Sequence, residues 1–371
     1  ICSFYYREGS VWMLMVRNIG SQAIFSFINV VAPKEGTQFQ AELAKYTQSL
    51  VIGQPDFHTL RHILDRIGSV LLSRLCFLGP VDWLIIIPHR ILNILPLHAC
   101  GDTDRRGTRH FLDECAKSIT YSSSLLELQY GRWWPARAET IGNRYLAVVD
   151  AAAKDLMWLR AERAYFEVLR GDGFPVDLVQ NFHELPADLH RYARISWSSH
   201  ASSCCNSWGE SFLAFDGHRI NALSIAQNWE LRGTPDLTLA ACNTALDLSI
   251  SDGMDEYCGL DLAFRIAGAR FVAGSLWPVR DDLAAYANMA IWQFEQRYGI
   301  SMPEAMVLLQ QDLRSGAWLT NMPTERQIRT ASNLSPNSKE VMWGIVKSLR
   351  RLPANEFKSE RDWATFRCFG G

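Results

Sequence analysis

Residues 193–242 read ARISWSSHASSCCNSWGESFLAFDGHRINALSIAQNWELRGTPDLTLAAC, and two apolar runs within this stretch decide the fold. The first, Ala193 to Trp197, and the second, Pro235 to Ala241, have the short strand-like character of buried β-segments. Each is followed by a residue able to do chemistry, His200 after the first and Cys242 after the second. Asp216-Gly217 lies between them and is a strong hairpin-turn signal. Asn221 to Leu231 then has helical spacing. The separation, 242 − 200 = 42 residues, holds a hairpin, one helix and a return strand. A right-handed crossover would set the two strands side by side with both C-terminal ends on one edge. That edge is where ligands bind in a doubly wound sheet.

The pattern continues on both sides. Tyr145 to Val149 and Val176 to Val179 are strand-like, and Leu156 to Leu169 is helical. His183 to Arg191 reads as a short helix, and Leu260 to Ala267 as a helix ending at Gly268. Phe271 to Leu276 is a further strand, followed by a helix from Asp282 to Gln296. Strands alternating with helices of about 10–15 residues argue for βαβ units and a mostly parallel sheet. Upstream, Val11 to Val16 and Ala23 to Val31 read as a hairpin turning near Gly20. Residues 38–50 and 57–76 have helical spacing, and another helix is expected near Ser123 to Tyr130. The run Leu84 to Ile87, stopped by Pro88, suits a strand buried on both faces, and PHRILNILPLHAC leads back toward the core. A composition shift over 132–143, with Trp133, Trp134, Pro135 and Gly142, divides the chain into residues 1–140 and 141–371. No repeat of 20–50 residues is visible, so any solenoid module lies outside this sequence.

Composition excludes several classes. The 371 residues are 48% hydrophobic and 20% charged, as in an ordinary globular protein, with a formal net charge of −2. No basic surface is therefore advertised for nucleic acid, and Arg105, Arg106 and Arg109 read as a short polar loop. Nine cysteines without CxxC pairs support neither a disulfide framework nor a zinc ribbon, and the adjacent Cys204-Cys205 lacks spaced partner ligands. A reducing, cytoplasmic compartment is the expectation. The most apolar stretch, Trp83 to Cys100, contains His89, Arg90 and Asn93, so no membrane span is expected. The start ICSFYYREGS has no signal-peptide pattern and no initiating Met, the expectation being a piece of a longer protein.

A thiol is mostly protonated at neutral pH, and a neighbouring imidazole that takes its proton makes a thiolate nucleophile. Against this stands the ordinary reading of each residue. A cysteine at a strand end is commonly a small core residue, and a histidine on an apolar strand is commonly packed and hydrogen-bonded. Spacing alone leaves both readings open.

The segments ISWSSHA, LTLAACNTA and GMDEYCGLDLAFRIAGARFVAGSLWPVRDD together resemble the CHAT domain, a caspase-like peptidase family related to caspases and separases and often attached to tetratricopeptide repeats. LIIIPHRILNILPLHA, RYLAVVD and the closing DWATFRCFGG extend the resemblance over essentially the whole chain. It implies a caspase-like α/β fold, a mostly parallel sheet with helices on both faces. An α/β pseudo-peptidase half, 1–140, precedes a catalytic half, 141–371. It implies a cysteine endopeptidase with His200 and Cys242 as the working dyad, needing no cofactor and no metal. Backbone N–H groups at Ala201 and Cys242 would hold the oxyanion. The family usually carries Gly after the histidine; Ala201 also supplies an N–H but is harder to place at positive φ. Asn243 stands where an acidic residue is common.

Clan relatives often read the substrate with a charged group at the base of a pocket. Asp150, Asp255 and Glu256 are the loop carboxylates expected at the sheet edge, favouring a basic substrate residue, with solvated or capping carboxylates as the competing reading. Trp277 is a candidate pocket wall, or simply packing. Asp281 and Asp282 read as caps of the following helix. The implied partners are a protein substrate and a regulatory sensor module or partner of the tetratricopeptide type, the implied context defence or cell death. Two competing readings remain: a degenerate scaffold that binds proteins without turnover, and a transferase or hydrolase using the same thiol on a non-peptide acyl group.

Overall fold

The structure, a computed structural model, describes residues 1–370 except 20–21, 76–80, 105–106, 111–115, 125–126, 129–143, 205–206, 232–234, 247–258, 323, 331–333 and 354–355. The first part carries β1 (Cys2–Arg7), β2 (Ser10–Ile19), β3 (Gln22–Val31), helices α1 (Gly36–Val51) and α2 (Phe57–Leu75), β4 (Val81–Ile87), β5 (Gly101–Asp104), β6 (Gly107–His110) and β7 (Ala116–Tyr121). The second carries β8 (Tyr145–Val149), α3 (Leu159–Gly171), β9 (Val176–Val179), β10 (Arg194–Ser198), β11 (His200–Ser202), β12 (Phe212–Phe215) and β13 (His218–Asn221). It continues with α4 (Ala222–Asn228), β14 (Asp236–Ala240), α5 (Leu260–Ala267), β15 (Phe271–Ser275), α6 (Asp281–Tyr298) and α7 (Met302–Ser315), and ends in β16 (Phe366–Gly370).

One sheet of eleven strands, in the order β3-β2-β1-β4-β7-β16-β15-β14-β10-β8-β9, runs through the molecule. It is mostly parallel, and the C-terminal strand β16 joins the two parts by pairing antiparallel with β15 and parallel with β7. Alternate residues of the parallel strands feed two separate cores. Leu146, Val148, Ile195, Trp197, Leu237, Leu239 and Val272 pack on one face with Ile225 of α4 and Phe264 of α5. Ala147, Val149 and Ala273 pack on the other with Tyr165 and Phe166 of α3 and Leu283 of α6. Burial on both faces is why these strands read as continuous apolar runs.

The chain leaves β8 by α3 to reach β9 on one side, and leaves β10 by α4 to reach β14 on the other. Those helices lie on opposite faces, so β8 and β10 form a topological switch point, the place where the ligand crevice lies in such sheets.

Turn chemistry explains the inserted hairpin. Asp216 (φ 51) and Gly217 (φ 76) are both left-handed, the I′ geometry that suits strand twist, and Phe215 pairs with His218 across the turn. Glu8 (φ 51) and Gly9 (φ 77) repeat this between β1 and β2, a strand and turn the sequence reading missed. The helix expected at 183–191 is instead two short 3-10 turns, Phe182–Glu184 and Leu189–Arg191. The polar loop expected around Arg105, Arg106 and Arg109 is built as the β5–β6 ladder, with 105–106 outside the described residues. The boundary at 132–143 and half of the helix expected near Ser123 to Tyr130 also lie outside them.

Candidate active site

Four neighbouring strands end together. Val149 of β8 pairs with Ser198 of β10, and Ser198 with Ala240 of β14. Thr238 of β14 pairs with Ala273 of β15, so Ser275 closes the same row. His200 and Cys242 each lie two residues beyond the Ser198–Ala240 pair, the loop after β8 carries Asp155, the loop after β15 carries Val279, and α6 opens with Asp281. The C-terminal edge thus gathers a thiol, an imidazole and two carboxylates from four separate segments.

The turn holding Cys242 is tightly built. Asn243 is left-handed (φ 57), a conformation that asparagine tolerates better than most residues. Ser203 Oγ donates to the carbonyls of Asn243 (2.6 Å) and Leu246 (3.0 Å), tying the turn to the segment after His200. From β15, Ser275 Oγ donates to Ala241 O (3.0 Å) and Ser275 N–H to Thr244 Oγ1 (3.0 Å). The approach is so close that a Cβ on Gly274 would lie 2.6 Å from Thr244 Oγ1, which gives the glycine of AGSLWPV its physical reason. The Cys242 thiol donates a long hydrogen bond to Val279 O at 3.8 Å. Burial, with the Asp281 charge adding to it and the Val279 contact opposing it, raises its pKa above the ordinary thiol value. Among the described cysteines, Cys2, Cys100 and Cys368 are buried, whereas Cys242 and Cys204 are partly open to solvent.

His200 is 42% exposed, and its Nε2 faces Asp155, at 3.1 Å from Oδ1 and 2.9 Å from Oδ2. The same hydrogen bond holds the Asp155 carboxyl below the usual range. Among the described residues no hydrogen bond joins the imidazole to the Cys242 thiol, so each is engaged elsewhere. Asp281 accepts from Trp158 N–H at 2.7 Å, which ties the far end of the Asp155 loop to the start of α6. Its pKa is raised, mainly by burial, and Asp155, Asp282 and His200 all contribute to its field.

Beneath the edge lies a buried polar network. Asn288 of α6 accepts from Ser196 Oγ (2.6 Å) and Thr238 Oγ1 (2.8 Å), and donates to Glu162 of α3 (2.7 Å). Glu162 also accepts from Ser198 Oγ at 2.9 Å. One amide and one carboxyl thereby clasp the strands leading to His200 and Cys242 to both covering helices. The network is satisfied within itself, the condition under which buried polar groups rigidify a site.

Several expected pocket residues are corrected. Asp150 is 5% exposed, and its Oδ1 accepts from Ala152 N–H (2.9 Å) and Asp216 N–H (3.2 Å). It pins the loop and the hairpin turn and presents no charge to the crevice. Trp277 is 1% exposed, stacks edge-on against Phe57 at 5.5 Å and donates to Arg361 O at 2.8 Å, so it is core. Asp281 is no cap of its own helix: the N-cap is Arg280, without a side-chain hydrogen bond, and Asp282 pairs with Arg280. Asp255 and Glu256 lie outside the described residues. Ala201 pairs with Leu213 and is not left-handed, so the concern about its φ falls away. Asp155 was missed; its only sequence signal was a carboxylate in the first loop of the second half. Among the described residues no group of three or more His, Cys, Asp or Glu could hold a metal ion, and no helix is long and apolar enough to cross a membrane.

This arrangement defines a doubly wound, mostly parallel α/β protein with a cysteine and a histidine just beyond adjacent strand ends. The chain belongs to the CHAT domain family, matching it over residues 58–371. No curated protein matches it. Among solved structures it is similar to separase of Saccharomyces cerevisiae in its complex with securin, with a TM-score of 0.46 and 12% identity over 85% of this chain and 17% of separase. The chain therefore spans under a fifth of separase. It is also similar to the Arg-specific cysteine proteinase gingipain R (RGPB), with a TM-score of 0.42 and 11% identity over 91% of this chain and 75% of that one.

Proposed function

We propose that this chain is a cysteine endopeptidase in which Cys242 attacks a peptide carbonyl and His200 moves the proton. The observation that carries the reading is the register: two chemically able residues stand two residues past the same strand pair, just beyond the ends of adjacent parallel strands about 4.8 Å apart. The thiol proton passes to the imidazole as the sulfur adds to the carbonyl, the imidazolium protonates the amine as the C–N bond breaks to leave the thioester, and water then hydrolyses the thioester and restores the thiol. Backbone N–H groups of Ala201 and Cys242 are the proposed oxyanion donors. With Asp150 turned inward, Asp155 and Asp281 leave the crevice acidic, which favours a basic side chain before the scissile bond.

In the arrangement described, the thiol keeps its proton on Val279 O and the imidazole faces Asp155, a resting state. The protease is accordingly proposed to act on a specific protein target when a sensor module or partner turns the two groups together, residues 1–140 serving as a pseudo-peptidase half. The test is a peptide-library digest with wild type, Cys242→Ala and His200→Ala, run alone and with candidate partners. Cleavage by wild type alone among the three supports the reading; cleavage that survives Cys242→Ala ends it. The same separation of thiol from imidazole is the observation favouring the second reading, a scaffold that binds proteins without turnover. A Cys242 that reacts no faster than Cys204 under every condition would favour that scaffold.

A further inference from the structure

We infer that Asp155 is the positioning residue of the site, holding His200 in the tautomer and orientation needed to serve Cys242; this rests on the proposed pairing of those two residues. The imidazole has two nitrogens, and only one can be the base. Nε2 lies 2.9 Å from Asp155 Oδ2, so it carries a proton and donates it to the carboxylate. Nδ1 is then the nitrogen with a lone pair. When the thiol swings from its weak contact with Val279 O, the S–H bond breaks and Nδ1–H forms. The resulting imidazolium sits against a carboxylate that stays ionised, because the hydrogen bond from His200 lowers the Asp155 pKa. The proton later goes from Nδ1 to the leaving amine, and Asp155 is unchanged throughout.

Asp155 is 72% exposed, yet its loop is built. Asp150 fixes the beginning through Ala152 N–H and Asp216 N–H. Lys154 N–H and Leu156 N–H close tight turns on Ala152 O and Ala153 O. Trp158 N–H on Asp281 fixes the end. An exposed carboxylate kept in place by its backbone can hold a neighbouring ring without a buried charge.

Burial keeps free thiolate scarce at pH 7, so alkylation there reads the small fraction of molecules in which the thiol has swung onto His200; the experiment follows alkylation of Cys242 by iodoacetamide at pH 7, by peptide mass spectrometry, with Cys204 as internal reference. The proteins are wild type, His200→Ala, Asp155→Ala, Asp155→Asn and the double variant His200→Ala/Asp155→Ala. Asp155→Ala is expected to slow Cys242 by roughly ten- to a hundredfold, the worth of a charge-assisted hydrogen bond, and to leave Cys204 unchanged. Asp155→Asn, which keeps an oxygen acceptor for Nε2–H, should recover part of the rate. The double variant should be no slower than His200→Ala. A slow His200→Ala beside an Asp155→Ala at the wild-type rate overturns the inference and leaves the dyad standing. A double variant slower than His200→Ala, or an Asp155→Asn without recovery, also overturns it. His200→Ala at the wild-type rate removes the pairing itself, and Asp155 with it.

Discussion

Glu162→Gln should change how stability depends on pH while leaving the fold intact. The Glu162 carboxyl is 1% exposed and accepts from Asn288 and Ser198. Burial raises its pKa from 4.5 to about 7; the two hydrogen bonds oppose the shift and the Asp281 charge adds to it. The folded state therefore keeps this proton where the unfolded chain releases it. Its contribution is most favourable below pH 4.5, declines as pH rises toward about 7, and is constant above that. A rise of about 2.5 units corresponds to about 3 kcal/mol in full, and to about 2.5 kcal/mol between pH 5 and pH 8. Glutamine removes the titration and keeps an oxygen for both donors. The variant should thus gain about 2.5 kcal/mol on wild type between pH 5 and pH 8. Urea unfolding at several pH values, followed by tryptophan fluorescence, measures the difference. A wild-type-to-variant difference that is flat with pH, or that moves the other way, refutes the claim that Glu162 is a buried, raised carboxyl.

Gly274→Ala should destabilise the protein by about 1–3 kcal/mol, since its Cβ would press on Thr244 Oγ1 beneath the Cys242 turn; urea unfolding reads this, and an unchanged midpoint would show that the turn yields freely. In the resting chain, alkylation of Cys242 should keep climbing above pH 9, because burial raises its thiol pKa; a plateau near pH 7 would reveal a thiolate–imidazolium pair already formed. Asp281→Asn should abolish any preference for peptidyl ketones with arginine over leucine before the warhead, and a preference that survives would place the basic-residue pocket elsewhere.

The strands were legible because their signals are local. Leu237 and Leu239 alternate with Thr238 between two faces that are both covered, and the run stops where Cys242 begins a turn. Gly268 (φ 111) ends α5 and Asp216-Gly217 closes its hairpin for the conformational reason that made them readable. The position of β16 was not legible. Its pairing with β7 and β15 joins segments roughly 100 to 250 residues away, and no periodicity encodes a partner that distant.

The crevice shows a sharper limit. Asp150 and Asp155 lie five residues apart in one loop, and composition gives no reason to prefer either. Their difference comes from backbone demand. Asp150 follows directly on β8, where Ala152 N–H and Asp216 N–H need an acceptor, so its carboxylate turns inward. Asp155 lies within the second of two tight turns whose N–H groups are already satisfied by Ala152 O and Ala153 O, so its side chain is free to meet His200. Asp281 is likewise drawn from its own helix by Trp158 N–H, more than a hundred residues earlier in the chain. Hydrophobic periodicity can bring His200 and Cys242 to one edge. Which carboxylates join them depends on which backbone donors lack partners, and that is decided only once the loops have closed.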